Sequence, residues 1–387
     1  MIVRKPIPYG RQFISKEDKE AVLKVLDADF LTTGPLVAEF EVKFAAYVGA
    51  KYAVAVSNGT TALHLCALTL GVNKDSHIIT SPITFAASAN CIRYCGGKVS
   101  FIDIHPDTLL IDLNILETTL KENPPNTYDG VVSVDFAGYP VDLERLRHIC
   151  DEHDLWIIED SCHAPGGYFT DSSKVMQYCG NGAYANLAIF SFHPVKHIAC
   201  GEGGMITTND ISTYESLKRL RSHGITRDSN LLSENHGGWY YEMIELGYNY
   251  RLPDILCALG ISQLGRAEEN IKRRREIARR YDTCFKDLPI IVHPPLHQEI
   301  GHAYHLYVIE VDRRKSLYDY LRDANIFAQI HYIPVHLQPY YQSLDSDPVI
   351  APVSEKYYDR CISLPMYPNL SDAEQDYVIH SVKKFYE

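Results

Sequence analysis

The chain has 387 residues, with 49 acidic side chains against 37 lysines and arginines, so its formal net charge is −12. A polyphosphate partner calls for a basic surface that releases counterions, and this surplus has the opposite sign, so nucleic acid is not expected as a partner. With 46% hydrophobic and 22% charged residues the composition is globular, no apolar run approaches the roughly 18 residues that span a bilayer, and MIVRKPIPYGRQF lacks the apolar stretch of a signal peptide. The expectation is a cytoplasmic protein with no membrane partner.

Taken in chain order, short β-branched and aromatic runs at Tyr52–Val56, His77–Thr80, Lys98–Ile102, Val131–Val134, Leu155–Ile158, Leu187–Phe190 and Met205–Thr208 read as strands. Helical-period segments such as Thr60–Leu70 and Leu143–Glu152 lie between them, and that alternation predicts a mostly parallel seven-stranded sheet covered by helices on both faces. Pro253 then opens a long helical pattern reaching to about Lys286. Its basic run Lys272–Arg280 is interleaved with acids at helical spacing and reads as a solvated face. Strands at about His305–Val311 and Ile326–Ile330, and helices at Lys315–Asp323 and Asp372–Phe385, complete a small α+β unit. The expected division is 1–252, a large α/β domain with an N-terminal arm, and 253–387, the connecting helix and small domain. The ten cysteines are spread singly, without a CxxC pair, which predicts neither a disulfide framework nor structural zinc. The His331/His336 spacing lacks the acid and the helix of a zinc motif, so no metal is expected.

Three motifs carry chemistry. Strand Tyr52–Val56 runs into Ser57-Asn58-Gly59-Thr60-Thr61-Ala62 and an apolar helix. Small and hydroxylated residues at a helix start leave outward-pointing N–H groups suited to a phosphate, although the same residues also serve as a plain N-cap. Strand Leu155–Ile158 delivers Asp160 to its C-terminal end, where open α/β sheets place ligands, with His163 three residues on. An aspartate there is also an ordinary helix cap. Lastly, Lys196 lies between an apolar strand and a glycine-rich turn, a setting in which desolvation lowers an amine's pKa and suits it to Schiff-base chemistry. Taken singly a lysine is more often a solvated charge. Together, a phosphate cradle, an acid at a strand end and a lysine 36 residues later supply what a phosphorylated pyridine aldehyde needs: an anchor, a partner for the ring nitrogen and an amine for the carbonyl.

The combination of SNGTTAL, IIEDSCHAPGG, SFHPVKHIACGEGGMITT and LGYNYRLPDILCALG resembles the pyridoxal-phosphate-dependent sugar aminotransferases of the DegT/DnrJ/EryC1/StrS family over nearly the whole chain. The resemblance implies the α/β fold type I of pyridoxal-phosphate enzymes. It implies that Lys196 bonds to the cofactor aldehyde, Asp160 pairs with the pyridine nitrogen, and His163 lies near the cofactor hydroxyl. Phe85 would stack on the ring, while Gly59, Thr60 and Ser191 would hold the phosphate. Asn249 resembles the residue that reaches the phosphate of a neighbouring subunit, which implies a homodimer with shared active sites. Members that dehydrate rather than transaminate carry His at the lysine position, so Lys196 implies transamination. The departures, Thr61, Cys162, Pro165 and Pro253, remove no group with a chemical role.

Within the family, three stretches are similar to members that aminate C4 of a UDP-linked 4-keto-6-deoxy-N-acetylhexosamine on the pseudaminic acid pathway. These are Ile7–Gln12, Asp29–Pro35 and Ile326–His336. The implied product is UDP-4-amino-4,6-dideoxy-N-acetyl-β-L-altrosamine, with L-glutamate as donor and 2-oxoglutarate released. Tyr9, Asp29, Phe30, Leu31, Thr32, His331, Tyr332, Ile333 and Pro334 would contact this substrate, alongside Gly59, Ser191 and Asn249. Alternatives are a sugar on another nucleotide, dTDP or GDP, an amino-acid aminotransferase using Arg251 or Arg360 for an α-carboxylate, and a non-catalytic sensor that binds the cofactor or the sugar nucleotide.

Overall fold

A computed structural model describes residues 5–294, 300–344 and 349–387. Seven strands form the central sheet: β1 (Tyr52–Val56), β2 (His77–Thr80), β3 (Lys98–Phe101), β4 (Gly130–Val134), β5 (Trp156–Asp160), β6 (Leu187–Ser191) and β7 (Gly204–Thr208). Each lies within two residues of its expected span. Their order is β1-β7-β6-β5-β4-β2-β3, and β7 alone runs antiparallel to its neighbours.

Side chains alternate across a strand, so a strand buried on both faces is apolar at consecutive positions. Ile78, Val132, Ile158 and Ile189 join the core that also holds Ala62, Leu65 and Cys91, while Ile79, Val131 and Ile157 join the opposite core with Leu116, Leu146 and Ile149. Helices Gly59–Thr69 and Ala87–Tyr94 thus cover one face and helices Leu113–Glu122 and Leu143–Asp151 the other. Each fully buried Val or Ile contributes about 1.5–3 kcal/mol of transfer free energy. Gly204 pairs with both Val56 and Ser191, so β7 begins beside the ends of β1 and β6. The loops that follow β1, β2, β4, β5 and β6 therefore gather along one edge.

A separate core surrounds Tyr281, Tyr307, Leu317, Ile362, Tyr367 and Val378. It is built on an antiparallel sheet of β8 (Ile291–His293), β9 (Tyr307–Glu310) and β10 (Cys361–Leu364), with helices Arg314–Asp323 and Asp372–Tyr386. The chain's N-terminal arm enters this core: Ile7–Pro8 pairs in parallel with Ile326–Phe327, and Ile7 is buried there. The strand expected over Ile326–Ile330 is accordingly two residues long. Beyond it only Gln329 bonds reciprocally to Ser363, and the chain then turns through His331–Pro334, where Pro334 has no N–H to continue a ladder.

The helical pattern after Pro253 forms two helices, Asp254–Leu264 and Ala267–Phe285. Glycine is about 1 kcal/mol poorer than alanine in a helix interior, and after Gly265 the backbone of Arg266 leaves helical values (φ −120°, ψ 15°). Its guanidinium turns to the fully buried Asp18 (Nη1 to Oδ1, 2.9 Å) and to the Phe13 carbonyl (Nη2, 2.9 Å). Asp254 caps another helix, accepting from the main-chain N–H of Gly34 (2.8 Å) and Leu36 (3.0 Å).

The basic run is also not uniformly solvated. Arg274 falls on the stripe of Ile271, Ile277, Ala278 and Tyr281 and is 1% exposed. It has no carboxylate partner among the described residues and donates instead to the carbonyls of Tyr304 (3.0 Å), His305 (3.3 Å) and Met366 (3.0 Å). Burial brings its pKa down to about 9. No helix among the described residues is long and apolar enough to cross a membrane.

Candidate active site

At the edge where the strand ends converge lies a cavity of about 660 Å³. One wall is the start of helix Gly59–Thr69. Asn58 and Thr61 cap it reciprocally: the Asn58 carboxamide accepts from the Thr61 N–H (2.8 Å), and the Thr61 hydroxyl accepts from the Asn58 N–H (3.2 Å). Ala62 N–H bonds to the Asn58 carbonyl. That leaves the N–H groups of Gly59 and Thr60, both on the cavity wall, without an acceptor among the described residues. They sit at the positive end of the helix dipole. A Cβ on Gly59 would come within 3.0 Å of the Ser191 Cβ and 3.4 Å of the Cys162 Sγ. Only glycine lets the helix start approach the end of β6 this closely.

Asp160 closes β5 and is almost fully buried. One carboxylate oxygen accepts from the Ser88 hydroxyl (2.7 Å) and the other from the Cys162 N–H (3.2 Å). Ser88 is fully buried and lies 2.7 Å from the Thr84 hydroxyl. A hydroxyl has one hydrogen, so Ser88 gives its own to Asp160 and receives that of Thr84. Two hydroxyls thus hold the acid in place. Sequence reasoning did not single out either, although Thr84 and Ser88 flank Phe85 in SPITFAASAN at helical spacing.

Lys196 follows β6 and reaches the same cavity. Its amine makes no hydrogen bond or ion pair with a described residue. Desolvation by the surrounding protein lowers its pKa below the usual lysine value, opposed by Cys162 and Asp160 and assisted by the charge of Arg274. A larger neutral fraction makes the amine a better nucleophile.

His163, Tyr332, His331 and Tyr9 form the wall across from the helix start. The Nδ1 of His163 accepts from the Ala137 N–H (3.2 Å) and its Nε2 lies 3.2 Å from the Tyr332 hydroxyl. The His331 and Tyr9 rings are 4.9 Å apart, and His331 Nδ1 lies 2.9 Å from the Ser363 hydroxyl. Desolvation pushes both histidines down, His331 to about 3 and His163 well below the usual range. His305, also unmarked by the sequence, packs against His163 with ring centres 4.2 Å apart and the rings tilted by 34°, and lines the cavity. Phe85 is 62% exposed and projects its ring into the mouth.

The remaining candidates lie outside the cavity of a single chain. Asp29, Phe30, Leu31 and Thr32 are exposed in the turn before helix Pro35–Val48. Asn249 is exposed and pairs its backbone with Ser222. Ile333 is exposed and Pro334 buried, both off the wall. Arg251 does not line the cavity, nor does Arg360, which pairs with Glu310 (3.3 Å) and Asp312.

The sequence profile of the DegT/DnrJ/EryC1/StrS aminotransferase family matches residues 12–383. The chain belongs to that family and is a pyridoxal-phosphate-dependent sugar aminotransferase of fold type I. It is 38% identical over 385 residues to the spore coat polysaccharide biosynthesis protein SpsC of Bacillus subtilis, covering 97% of this chain and 96% of that one. It is 36% identical over 376 residues to the UDP-4-amino-4,6-dideoxy-N-acetyl-β-L-altrosamine transaminase of Campylobacter jejuni, covering 95% of each. The structure of Helicobacter pylori PseC, an aminotransferase involved in the biosynthesis of pseudaminic acid, superposes with a TM-score of 0.87 at 33% identity, over 98% of this chain and 99% of that one. The residues here fit the cofactor: at a helix start, N–H groups with no acceptor among the described residues for its phosphate, a buried acceptor for its ring N–H, and an amine with no partner among the described residues for its aldehyde.

Proposed function

We propose that the chain transfers the amino group of L-glutamate to C4 of a UDP-linked 4-keto-6-deoxy-N-acetylhexosamine, giving UDP-4-amino-4,6-dideoxy-N-acetyl-β-L-altrosamine and 2-oxoglutarate. The observation that carries this reading is the 36% identity to the Campylobacter enzyme across 95% of both chains. Bound in the cavity, pyridoxal phosphate supplies an electron-withdrawing ring and a carbonyl carbon that takes and gives up the amino group.

Each residue then has a defined task. The Gly59 and Thr60 N–H groups, with Ser191, bind the phosphate. Asp160, held by Ser88, keeps the proton on the ring nitrogen, and Phe85 covers the ring. Lys196 would hold the cofactor and, as a free amine, would carry a proton between the carbon atoms that exchange the amino group. Positioned proton transfer of this kind typically supplies about 10²–10⁴ in rate. Tyr9, His331 and Tyr332 close the cavity against water on the sugar side. The protein works in the cytoplasm as a homodimer, in which Asn249 and Asp29–Thr32, exposed and off their own cavity, reach that of the second copy. His331 and Tyr332, which line the cavity, lie beside the sugar.

A second reading, a different nucleotide-linked keto sugar, draws on the identity to SpsC, a protein of spore coat polysaccharide synthesis. The visible absorption spectrum separates the two. Glutamate should bleach the cofactor band, and the UDP-keto sugar should restore it. Bleaching without restoration would leave the aminotransferase and remove this sugar.

A further inference from the structure

The hydrogen bonds of His163 assign a direction to its contact with Tyr332. A main-chain N–H can only donate, so the Nδ1 that receives the Ala137 N–H carries no hydrogen. Burial, with Lys196, His331 and His197 adding to it, holds His163 far below its ordinary pKa, so the ring is neutral and its one hydrogen is on Nε2. Nε2–H therefore donates to the Tyr332 oxygen. Having accepted there, Tyr332 retains its own hydrogen, and no described residue takes it. Burial keeps the phenol protonated by raising its pKa, with Tyr9, Asp160 and Cys162 adding to the effect. Packing fixes the ring: His331 is 4.9 Å from it, Phe136 6.1 Å and Phe85 6.3 Å.

Sheet order sets which way that free hydrogen faces. Along β1-β7-β6-β5-β4 the site presents the helix start after β1, Lys196 after β6, Asp160 at the end of β5, and the Ala137 N–H after β4 that binds His163. Pyridoxal phosphate carries its ring oxygen beside the aldehyde carbon, on the side away from the phosphate arm. With the phosphate at the helix start, the aldehyde at Lys196 and the ring nitrogen at Asp160, that oxygen faces the wall of His163 and Tyr332.

We propose that Tyr332, oriented by His163, is the hydrogen-bond donor to the ring oxygen of the bound cofactor, and that His163 acts through Tyr332 rather than on the cofactor itself. The proposal rests on the cofactor seat set out above. It makes His163 a positioning residue and recruits to the cofactor a side chain from the loop otherwise assigned to sugar contact.

The test is a pH titration of the cofactor's visible absorbance in the loaded wild type, Tyr332→Phe and His163→Gln. Losing a proton from the nitrogen that joins Lys196 to the cofactor leaves more negative charge on the ring oxygen, and a donor favours that form. Tyr332→Phe should therefore raise the pH midpoint by about one unit, the size of one hydrogen bond. His163→Gln, whose amide can still donate to Tyr332, should shift it less. The midpoint is read only from protein that carries cofactor, so lowered occupancy does not mask it. An unmoved midpoint in Tyr332→Phe, or a larger rise in His163→Gln, would overturn the assignment. A wild type that takes up no colour would overturn the cofactor seat and this assignment together, and is told apart by the control alone.

Discussion

Two adjacent carboxyl groups on one strand meet opposite surroundings. Asp160 opens on the cavity face of the sheet, among polar donors and beside the Lys196 amine. Glu159, one residue earlier, points to the other face and into a sealed pocket. There it shares the Ser161 hydroxyl (2.8 Å to each acid) with Asp135 and accepts from the Gly180 N–H (2.9 Å). Burial raises both acids of that pocket, Asp135 to about 6 and Glu159 well above the carboxylate range; the charge of Asp135 raises Glu159 further, while the hydrogen bond with Glu159 tempers the rise at Asp135. The pair titrates together and keeps a proton between its members. Strand alternation alone separates a carboxylate available to a ligand from one that is internal structure.

The largest effect is expected at the amine that Asp160 faces and Glu159 does not. Lys196→Ala should lower turnover by at least about 10⁴-fold while cofactor still binds without covalent attachment; near-native rates would remove the chemical basis of the site. Asp160→Ala should cost about 10²–10³ in turnover, the loss typical of one preorganised electrostatic partner. A steady-state assay showing unchanged turnover would return Asp160 to a capping role. Ser88→Ala, which leaves the acid in place but unheld, should cost roughly tenfold, with the glutamate KM unaltered. A change in KM alone would mean that Ser88 shapes the donor pocket instead.

Glu159→Gln should have the smallest effect, with turnover within about twofold, because a side chain already protonated loses little when replaced by its amide. Its signature is in stability. Asp135 has its folded pKa raised from 3.8 to about 6. A raised acid contributes stability that is present below its unfolded value and lost as pH climbs through its folded one, so unfolding free energy should fall between about pH 4 and 6. Thermal melts across that window should show a shallower fall in Glu159→Gln. An equally steep fall would show that the pair is not what titrates.

The sheet was legible in the sequence because buried parallel strands need consecutive apolar or β-branched residues, and each run here has a Gly, Asp, Asn or Pro within two residues of an end. The groups at strand ends were legible for the same reason: once β1, β5 and β6 are placed, Gly59, Asp160 and Lys196 fall on one edge. Ser88 escaped notice because a buried serine in a short apolar helix has no sequence signature apart from its partner 72 residues away. The break after Gly265 is likewise decided by Asp18, 248 residues distant from Arg266. Asn249 and Asp29–Thr32 are exposed and line no part of the cavity, so neither burial nor strand ends mark them out in the sequence.

The carbonyl-bound guanidinium of Arg274 has a further consequence. Its charge adds to the lowering of the Lys196, His197 and His305 pKa values. Surface pairs such as Lys315 with Asp319 weaken as dissolved ions gather around them. Arg274 is buried and has no carboxylate partner among the described residues, so its field at the amine is screened far less than those pairs are as ionic strength rises. Desolvation first, and this buried charge after it, make the acidity of Lys196 a property built into the fold.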